Sequence, residues 1–472
     1  MRVCLIMEGC YPYVYGGVSS WTHQYIQAMP EVEFVLLCIG AKSADRGKFK
    51  FQIPANVVEI KEIFLDEAFG LTTRKNEKVK ISEIQMNEMK HLFAGEKVEW
   101  SVLFDMFQTE KMNPLALLMS REFLDLLIAT CKENTPYISF TEYFHTMRSM
   151  LLPELYLLTR EIPEADIYHS TATGYGGLLG SLGKWKYQKP FILTEHGIYT
   201  REREEELLRA RWVLPHFRKN WIQLFYSFSE CAYGYADRVT ALFRRANDIQ
   251  AELGCDREKL TYIENGIHYE RFANIPEKAE DGWVDIGAVV RIAKIKDIKT
   301  MIYSFAEVKS VVPKARLHIM GDVDDKEYFE ECKQLVAQLN VQDILFTGVV
   351  KVTEYMEKID FVILTSISEG QPLSVLEALA AGRACVTTDV GCCRDLLEGP
   401  DEFGVAGICV PPMHKDSLAN AMITLCKNKE TRREMGREGK KRAEKYYLHE
   451  ISIGKYKKLY QEVLTWQALG SN

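Results

Sequence analysis

Two doubly wound α/β domains are what this sequence predicts, and three observations predict them. Short apolar runs that suit buried strands alternate with helix-spaced stretches along both halves of the chain. The alternation lapses between residues 66 and 160 and again at the polar stretch Asn274 to Gly282, which reads as a linker. A chain of 472 residues also exceeds what one hydrophobic core supports.

Taken in order, Arg2 to Glu8, Glu33 to Gly40 and Val57 to Leu65 read as strands. Val18, Trp21, Thr22, Tyr25, Ile26 and Met29 keep a 3.6-residue period between the first two. The loop Gly9 to Gly17 joins the first strand to this helix. Gly16 and Gly17 at the helix entry would let backbone approach a ligand, although a plain turn explains them equally well. Tyr11, Tyr13 and Tyr15 could stack on a sugar face or pack that loop, and packing is the reading slightly favoured. Residues 66–160 read as a helical insertion, with Ile81 to Phe93 and Leu115 to Cys131 each predicted as one helix, and with aromatic residues that suit a core.

The alternation resumes at Asp166 to Ser170 and at Pro190 to Glu195. His196 follows the second of these, at the carboxyl end of a strand, where such folds place ligands. A lone histidine is more often structural. Arg201 to Glu206 reads as a solvated helix start. Asp237 to Leu242 and Lys259 to His268 complete a first domain of residues 1–275. Six strands are then expected, at Val284 to Ile292, Ala315 to Gly321, Ile344 to Val350, Phe361 to Thr365, Ala384 to Thr388 and Ala406 to Val410. They define a second domain, residues 276–445. A charged helix from Asn428 to about Leu469 ends the chain, with a break expected between Tyr446 and Ile451; residues 446–472 form its last part.

The most informative stretch is Thr365 to Gly382. A short apolar strand runs into Ser366-Ile367-Ser368-Glu369-Gly370-Gln371, then Pro372 suits a first helical position and Gly382 a left-handed stop. Leu373, Leu376, Leu379 and Ala380 recur at helical spacing, facing the sheet, and Glu377 falls off that stripe. Glu369 and Glu377 thus bracket a helix N-terminus, whose free N–H groups and partial positive charge suit a phosphate while the carboxylates suit hydroxyls. Together they describe a sugar-nucleotide site. The bland alternative is one glutamate favouring the helix dipole and one solvated glutamate.

Composition narrows the remainder. A net charge of −7 lends no support to a nucleic-acid surface, and 47% hydrophobic with 26% charged residues is ordinary for a globular enzyme. No run approaches the roughly 20 apolar residues of a membrane span. Arg2 is followed by only five apolar residues before Glu8, which reads as a strand rather than a secretory signal. The 12 cysteines lie mostly within apolar runs, as reduced buried thiols of a cytosolic protein do, and no two of the ten histidines stand at i, i+4. No structural metal is expected.

Glu369, seven intervening residues and Glu377, with Gly-Gln-Pro-Leu-Ser-Val-Leu between, resemble the E-x7-E signature of retaining glycosyltransferases of family 4, which have the two-domain GT-B fold with a cleft between the domains. The opening Val3-Cys4-Leu5-Ile6-Met7-Glu8-Gly9-Cys10-Tyr11-Pro12-Tyr13-Val14-Tyr15-Gly16-Gly17-Val18-Ser19-Ser20-Trp21 and the Ser366 to Leu373 run resemble the PelF-like group within it. That resemblance implies a cytoplasmic enzyme that transfers a sugar from a UDP-hexose or UDP-N-acetylhexosamine to a growing exopolysaccharide with retention. Inner-membrane Pel-type synthase components are the partners it implies. It also implies an enlarged first domain and a last helix that crosses back to it.

Residue by residue, the resemblance implies that Glu369 meets the donor sugar, Glu377 the ribose, and the Leu373 and Ser374 N–H groups the diphosphate. Val350, with Lys351, would face the base. Gly16 and Gly17 would approach the donor or acceptor, and His196 would lie near the transferred sugar. Arg291 and Lys296 resemble the basic pair that holds the leaving phosphate, as a bidentate grip and a point charge, so no metal cofactor is expected. Asp322-Val323-Asp324 matches a D-x-D metal string but sits where this family has a Gly-rich turn, and is read as incidental; Gly321-Asp322 departs from the common Gly-x-Gly form. A non-catalytic nucleotide-binding scaffold, or an epimerase or phosphorylase on the same architecture, remains open at this point.

Overall fold

The computed structural model describes residues 1–73, 79–135, 137–210 and 212–470. The chain forms two compact units, Met1–Tyr262 with Lys457–Asn472, and Ile263–Tyr456.

In the first unit, strands β1 (Arg2–Glu8), β2 (Glu33–Gly40) and β3 (Val57–Phe64) enclose helix α1 (Gly17–Gln27) in sequence. The insertion follows as α2 (Glu83–Ala94), α3 (Trp100–Gln108), α4 (Pro114–Leu118), α5 (Arg121–Asn134) and α6 (Phe140–Leu158). Then come β4 (Ile167–Ser170), α7 (Tyr175–Tyr187), β5 (Phe191–Glu195), α8 (Tyr199–Arg209), α9 (Arg218–Tyr235), β6 (Arg238–Ala241), α10 (Arg244–Glu252) and β7 (Leu260–Tyr262). All pairings are parallel and the order is β3-β2-β1-β4-β5-β6-β7. A parallel sheet covered on both faces needs continuous apolar strands, and Val3 to Met7 are all fully buried. The insertion supplies much of the core, with Phe104, Phe107, Phe123 and Tyr143 buried.

The second unit has α11 (Glu270–Ala273), β8 (Val284–Val289), α12 (Ile298–Val311), β9 (Ala315–Met320), α13 (Lys326–Leu339), β10 (Ile344–Gly348), α14 (Val352–Tyr355) and β11 (Phe361–Leu364). It continues through α15 (Leu373–Ala380), β12 (Ala384–Thr388), α16 (Cys393–Glu398), β13 (Gly407–Val410), α17 (Lys415–Lys427) and α18 (Lys429–Tyr446). The last helix, α19 (His449–Gly470), belongs to the first unit from Lys457 on. The order β10-β9-β8-β11-β12-β13 is again all parallel. Two Rossmann-like parallel sheets are the α/β, GT-B class. Each reverses its strand order once, between β1 and β4 and between β8 and β11, and ligands of open α/β sheets bind outside the strand ends at such points.

Two expectations need correction, and a third gains its physical cause. Leu115 to Cys131 is two helices, because the Ser120 hydroxyl accepts from the Phe123 N–H at 3.1 Å and caps α5. The last helix breaks between Tyr446 and His449, inside the interval where a break is expected, into α18 and α19: the Ile267 N–H donates to Tyr447 O (2.8 Å) and the His449 N–H to Ile267 O (3.0 Å), so a β-bridge takes the backbone groups a continuous helix would use. On α15, Leu373 is only half-buried while Val375 and Ala378 join Leu376, Leu379 and Ala380 in the core, so the buried face is wider than the predicted stripe and begins after the first residue.

Gly436 and Gly439 do not interrupt α18. A Cβ on Gly436 would stand 2.1 Å from Gly382 O, and one on Gly439 2.6 Å from a Leu379 methyl, so their absence lets α18 lie against α15. Gly439→Val is expected to destabilise the second unit by about 1–3 kcal/mol through overpacking, read as a lowered urea midpoint.

Candidate functional site

In the second unit two loops meet at the switch point. The segment after β8 carries Arg291 and, in a single turn Lys294–Lys296, the Lys296 amine. The segment after β11 carries Glu369. The Thr365 hydroxyl donates to Lys296 O (2.8 Å) and the Ile367 N–H to Ile295 O (2.9 Å), which zips the loops together. Lys296 Nζ then donates to Glu369 Oε1, to which the Ser366 hydroxyl also donates at 2.6 Å. The side chains of this ion pair are 17% and 14% exposed, so the surrounding loops shield it from most of the water that weakens surface pairs.

The loop before α16 closes the far side. The Cys392 N–H donates to Gly370 O at 3.1 Å, and Gly391, at φ +56°, lies so close that a Cβ would stand 2.1 Å from that oxygen. Gln371 Oε1 accepts the Asn265 N–H at 2.5 Å. Glu369 and the turn into α15 are therefore held from four directions.

Pro372 is the N-cap of α15 rather than its first helical residue, a difference of one position. The Val375 and Leu376 N–H groups donate to Pro372 O, which leaves those of Leu373 and Ser374 without an acceptor among the described residues. Glu377 lies one turn further on, half-buried, and its carboxylate has no partner among the described residues; burial pushes its pKa up to about 7. A fixed cation, two free N–H groups and two carboxylates thus gather at one helix end, an arrangement that can hold an anion beside a polyol.

The raised pKa has a direct consequence. Glu377 binds its proton more tightly folded than at the ordinary value of 4.5, so its contribution is fullest below pH 4.5 and is lost as pH rises through about 7. Glu377→Gln is expected to be more stable than the wild type at pH 8 by about 1–3 kcal/mol, with the difference shrinking toward pH 4.5; urea melts at both pH values check it.

The structure does not bring Arg291 to this pair. Its exposed guanidinium bonds Asp324, the second acid of the D-x-D string, while Asp325 caps α13 by accepting the Tyr328 N–H at 2.9 Å and Asp322 accepts the Val323 N–H at 2.8 Å. Gly321 there is irreplaceable, since a Cβ would stand 2.0 Å from Val290 O. Val350 follows the edge strand β10, half-buried, and Lys351 is exposed.

In the first unit Gly16 is the N-cap of α1, and a Cβ on Gly16 or Gly17 would meet nothing within 4 Å. His196, between β5 and α8, sets its ring edge-on to Trp21 of α1 at 4.5 Å, near the helix these glycines open. Its Nε2 is buried without a partner among the described residues, and burial lowers its pKa to about 4, so the ring is neutral at physiological pH. Tyr11 is buried against His23 and Phe51, and Tyr13 donates to Glu62 at 2.6 Å, so these two pack the loop. The Tyr15 ring meets Phe51 but stays largely exposed.

Sequence reasoning passed over three groups at the same strand ends. Glu8 accepts from the Gly176 N–H and the Tyr199 hydroxyl, each at 3.3 Å. Glu195 accepts from Thr173, Tyr233 (2.8 Å) and Gln250 (2.7 Å). Burial raises both carboxyl pKa values. His169, fully buried, bonds the Tyr460 hydroxyl at 2.7 Å and Thr194 at 2.8 Å. A carboxylate that ends an apolar strand is a legible signal for the first two; nothing in the sequence marks His169. The 12 cysteines are free thiols, all but Cys10 and Cys409 buried. No helix among the described residues is long and apolar enough to cross a membrane.

Comparison with known proteins accords with this architecture. MMP alpha-(1->4)-mannosyltransferase of Mycolicibacterium hassiacum is 23% identical over 286 residues, 59% of this chain and 66% of that protein. N-acetyl-alpha-D-glucosaminyl L-malate synthase of Bacillus anthracis is 28% identical over 173 residues, 36% of this chain and 43% of that protein. The chain thus matches less than two thirds of the length of either relative. Anabaena Alr3699/HepE in complex with UDP shares the fold, with a TM-score of 0.62 at 12% identity over 98% of this chain and 100% of that one. Residues 272–442 match the family model described as Glycosyl transferases group 1, and residues 1–258 that described as Domain of unknown function (DUF3492). Through that longer match, which covers more than half of its residues, the chain belongs to the DUF3492 family and couples it to a glycosyl transferases group 1 domain.

Proposed function

We propose that this protein is a PelF-like retaining glycosyltransferase that moves a sugar from a UDP-hexose or UDP-N-acetylhexosamine to a growing exopolysaccharide at the cytoplasmic face of a membrane, beside Pel-type synthase components. The observation that carries this reading is the Lys296–Glu369 pair at the free N-terminus of α15. Cleaving a sugar–diphosphate bond places charge on the departing phosphate. Lys296 and the Leu373 and Ser374 N–H groups are already fixed where they stabilise that charge, so little reorganisation is needed as it develops. Arg291 joins them by exchanging Asp324 for phosphate. These groups supply the positive charge that a metal supplies elsewhere, which is why the reading includes no metal.

Glu369 is released from Lys296 as the phosphate takes the amine, and its carboxylate accepts from donor-sugar hydroxyls. Glu377, without a protein partner, accepts from the ribose. A role for the neutral His196 ring of the first unit near the sugar rests on the family resemblance alone. With retention, the leaving phosphate itself takes the acceptor proton. Relatives named for sugar transfer and a fold neighbour bound to UDP support the donor class.

The test is nucleoside diphosphate release from UDP-, GDP- and ADP-sugars by the purified protein beside Glu369→Gln. Release from one UDP-sugar, lost in the variant while UDP still binds, is expected. UDP binding with no release from any donor would favour a scaffold subunit, and no nucleotide binding would overturn the proposal.

A further inference from the structure

A groove of about 360 Å³ lies on the insertion of the first unit, lined by Phe69, His145, Thr146, Arg148, Ser149 and Leu152. Phe69 belongs to a 3₁₀ turn, Leu65–Gly70, that is fastened on both sides of the core. Asp66 accepts from the Ser43 N–H (2.8 Å) and hydroxyl (2.9 Å), Glu67 accepts from Arg46 (2.6 Å) and from the Tyr156 hydroxyl of α6 (2.9 Å), and Ala68 is buried. The phenyl ring on this anchored turn is nonetheless 62% exposed. An anchored turn that presents an aromatic face to water beside this groove contrasts with Phe104, Phe107, Phe123 and Tyr143 of the insertion, which are buried.

The opposite wall is one face of α6. His145, Arg148, Ser149 and Leu152 recur at i, i+3, i+4 and i+7. Arg148 stands 5.8 Å over the Phe144 ring and has no carboxylate partner or hydrogen bond among the described residues, so its fixed donors are unspent. The Thr146 carbonyl already accepts the Ser149 hydroxyl at 2.9 Å, and Pro153 lacks the N–H that would bond the Ser149 carbonyl one turn back. Donors and hydroxyls therefore line the groove beside an exposed ring, on a helix whose Ser149 carbonyl lacks its usual donor.

We infer that this groove binds a saccharide segment, stacking a pyranose on Phe69 and bonding its hydroxyls through Arg148, Thr146, Ser149 and His145. The apolar C–H face of a sugar suits an exposed ring, and its hydroxyls demand both donors and acceptors, which this wall supplies together. A purely anionic ligand would need neither the ring nor the carbonyl. The inference rests on the proposed function and extends it, since a growing polysaccharide supplies such a segment. Binding without donor nucleotide tests it separately, so either proposal can fail while the other stands.

The experiment is titration of the full chain with maltohexaose, cellohexaose and chitohexaose, without nucleotide, followed by ligand-observed NMR and calorimetry. At least one is expected to bind, with affinity falling tenfold or more in Phe69→Ala and in Arg148→Ala at unchanged thermal midpoint. Binding of none of the three overturns the inference, as does binding that both variants leave intact. Binding of inorganic phosphate, weakened in Arg148→Ala, with no saccharide bound would overturn the inference and make the groove an anion site.

Discussion

Lys296→Met is expected to lower kcat/KM for the proposed sugar transfer by about 10²–10³-fold, the range seen when one preorganised donor to a developing negative charge is removed. Two effects combine. In the proposed reaction the leaving phosphate loses a fixed cation, and Glu369 loses the partner that holds it against the turn before α15. The Ser366 hydroxyl still donates to Glu369, so the carboxylate stays near its place and the fold survives. The loss therefore falls on turnover more than on stability. Lys296→Arg keeps the charge but brings a planar fork into a space shaped for an ammonium, and recovers only part of the rate. Steady-state kinetics with the best donor, beside UDP affinity by calorimetry, separates the contributions: turnover unchanged in Lys296→Met would remove this lysine from the mechanism.

Arg442→Met is expected to destabilise the second unit by about 3–5 kcal/mol, the usual cost of breaking a buried charge pair from one side. Arg442 of α18 is fully buried. Its Nε and Nη2 donate to the two Asp401 oxygens at 2.6 and 2.9 Å, and the remaining donors reach the carbonyls of Leu396, Leu397, Phe403 and Gly404 at 2.9–3.4 Å. Burial works against the Asp401 charge, but the Arg442 bonds outweigh it and hold the carboxyl below the ordinary carboxylate range. Without the guanidinium that charge stands 12% exposed and unpaired, and four carbonyls lose a donor. Arg442→Met combined with Asp401→Leu is expected to recover part of the loss, because no orphaned charge remains. Urea midpoints of both variants check this; equal midpoints for Arg442→Met and wild type would show that the network contributes nothing.

These two arginine and lysine sites mark where sequence reading ends. Lys296 and Glu369 are 73 residues apart, and Arg442 and Asp401 are 41 apart, with no local pattern to pair them. Arg291 and Asp324 read as a phosphate grip and an incidental string, yet they bond each other. The α15 turn could be read because its chemistry is local. Proline fixes one dihedral at the helix entry, glycine at φ +68° ends the helix, and the carboxylates are placed by helical repeat alone.

Periodicity and composition by themselves determined the α/β class, the strands of both sheets, the helical insertion and the Glu369–Gln371 turn, since strand and helix leave periods of 2 and 3.6 or unbroken apolar runs in any buried chain. Only the tertiary structure decided which charges face each other, that His169 meets Tyr460 across 291 residues, that the bridge at the break before α19 is made with Ile267, and that Phe69 is presented rather than packed. The physical reason is the same in each case. Backbone preference acts within a few residues, whereas burial, ion pairing and exposure belong to partners that only folding brings together.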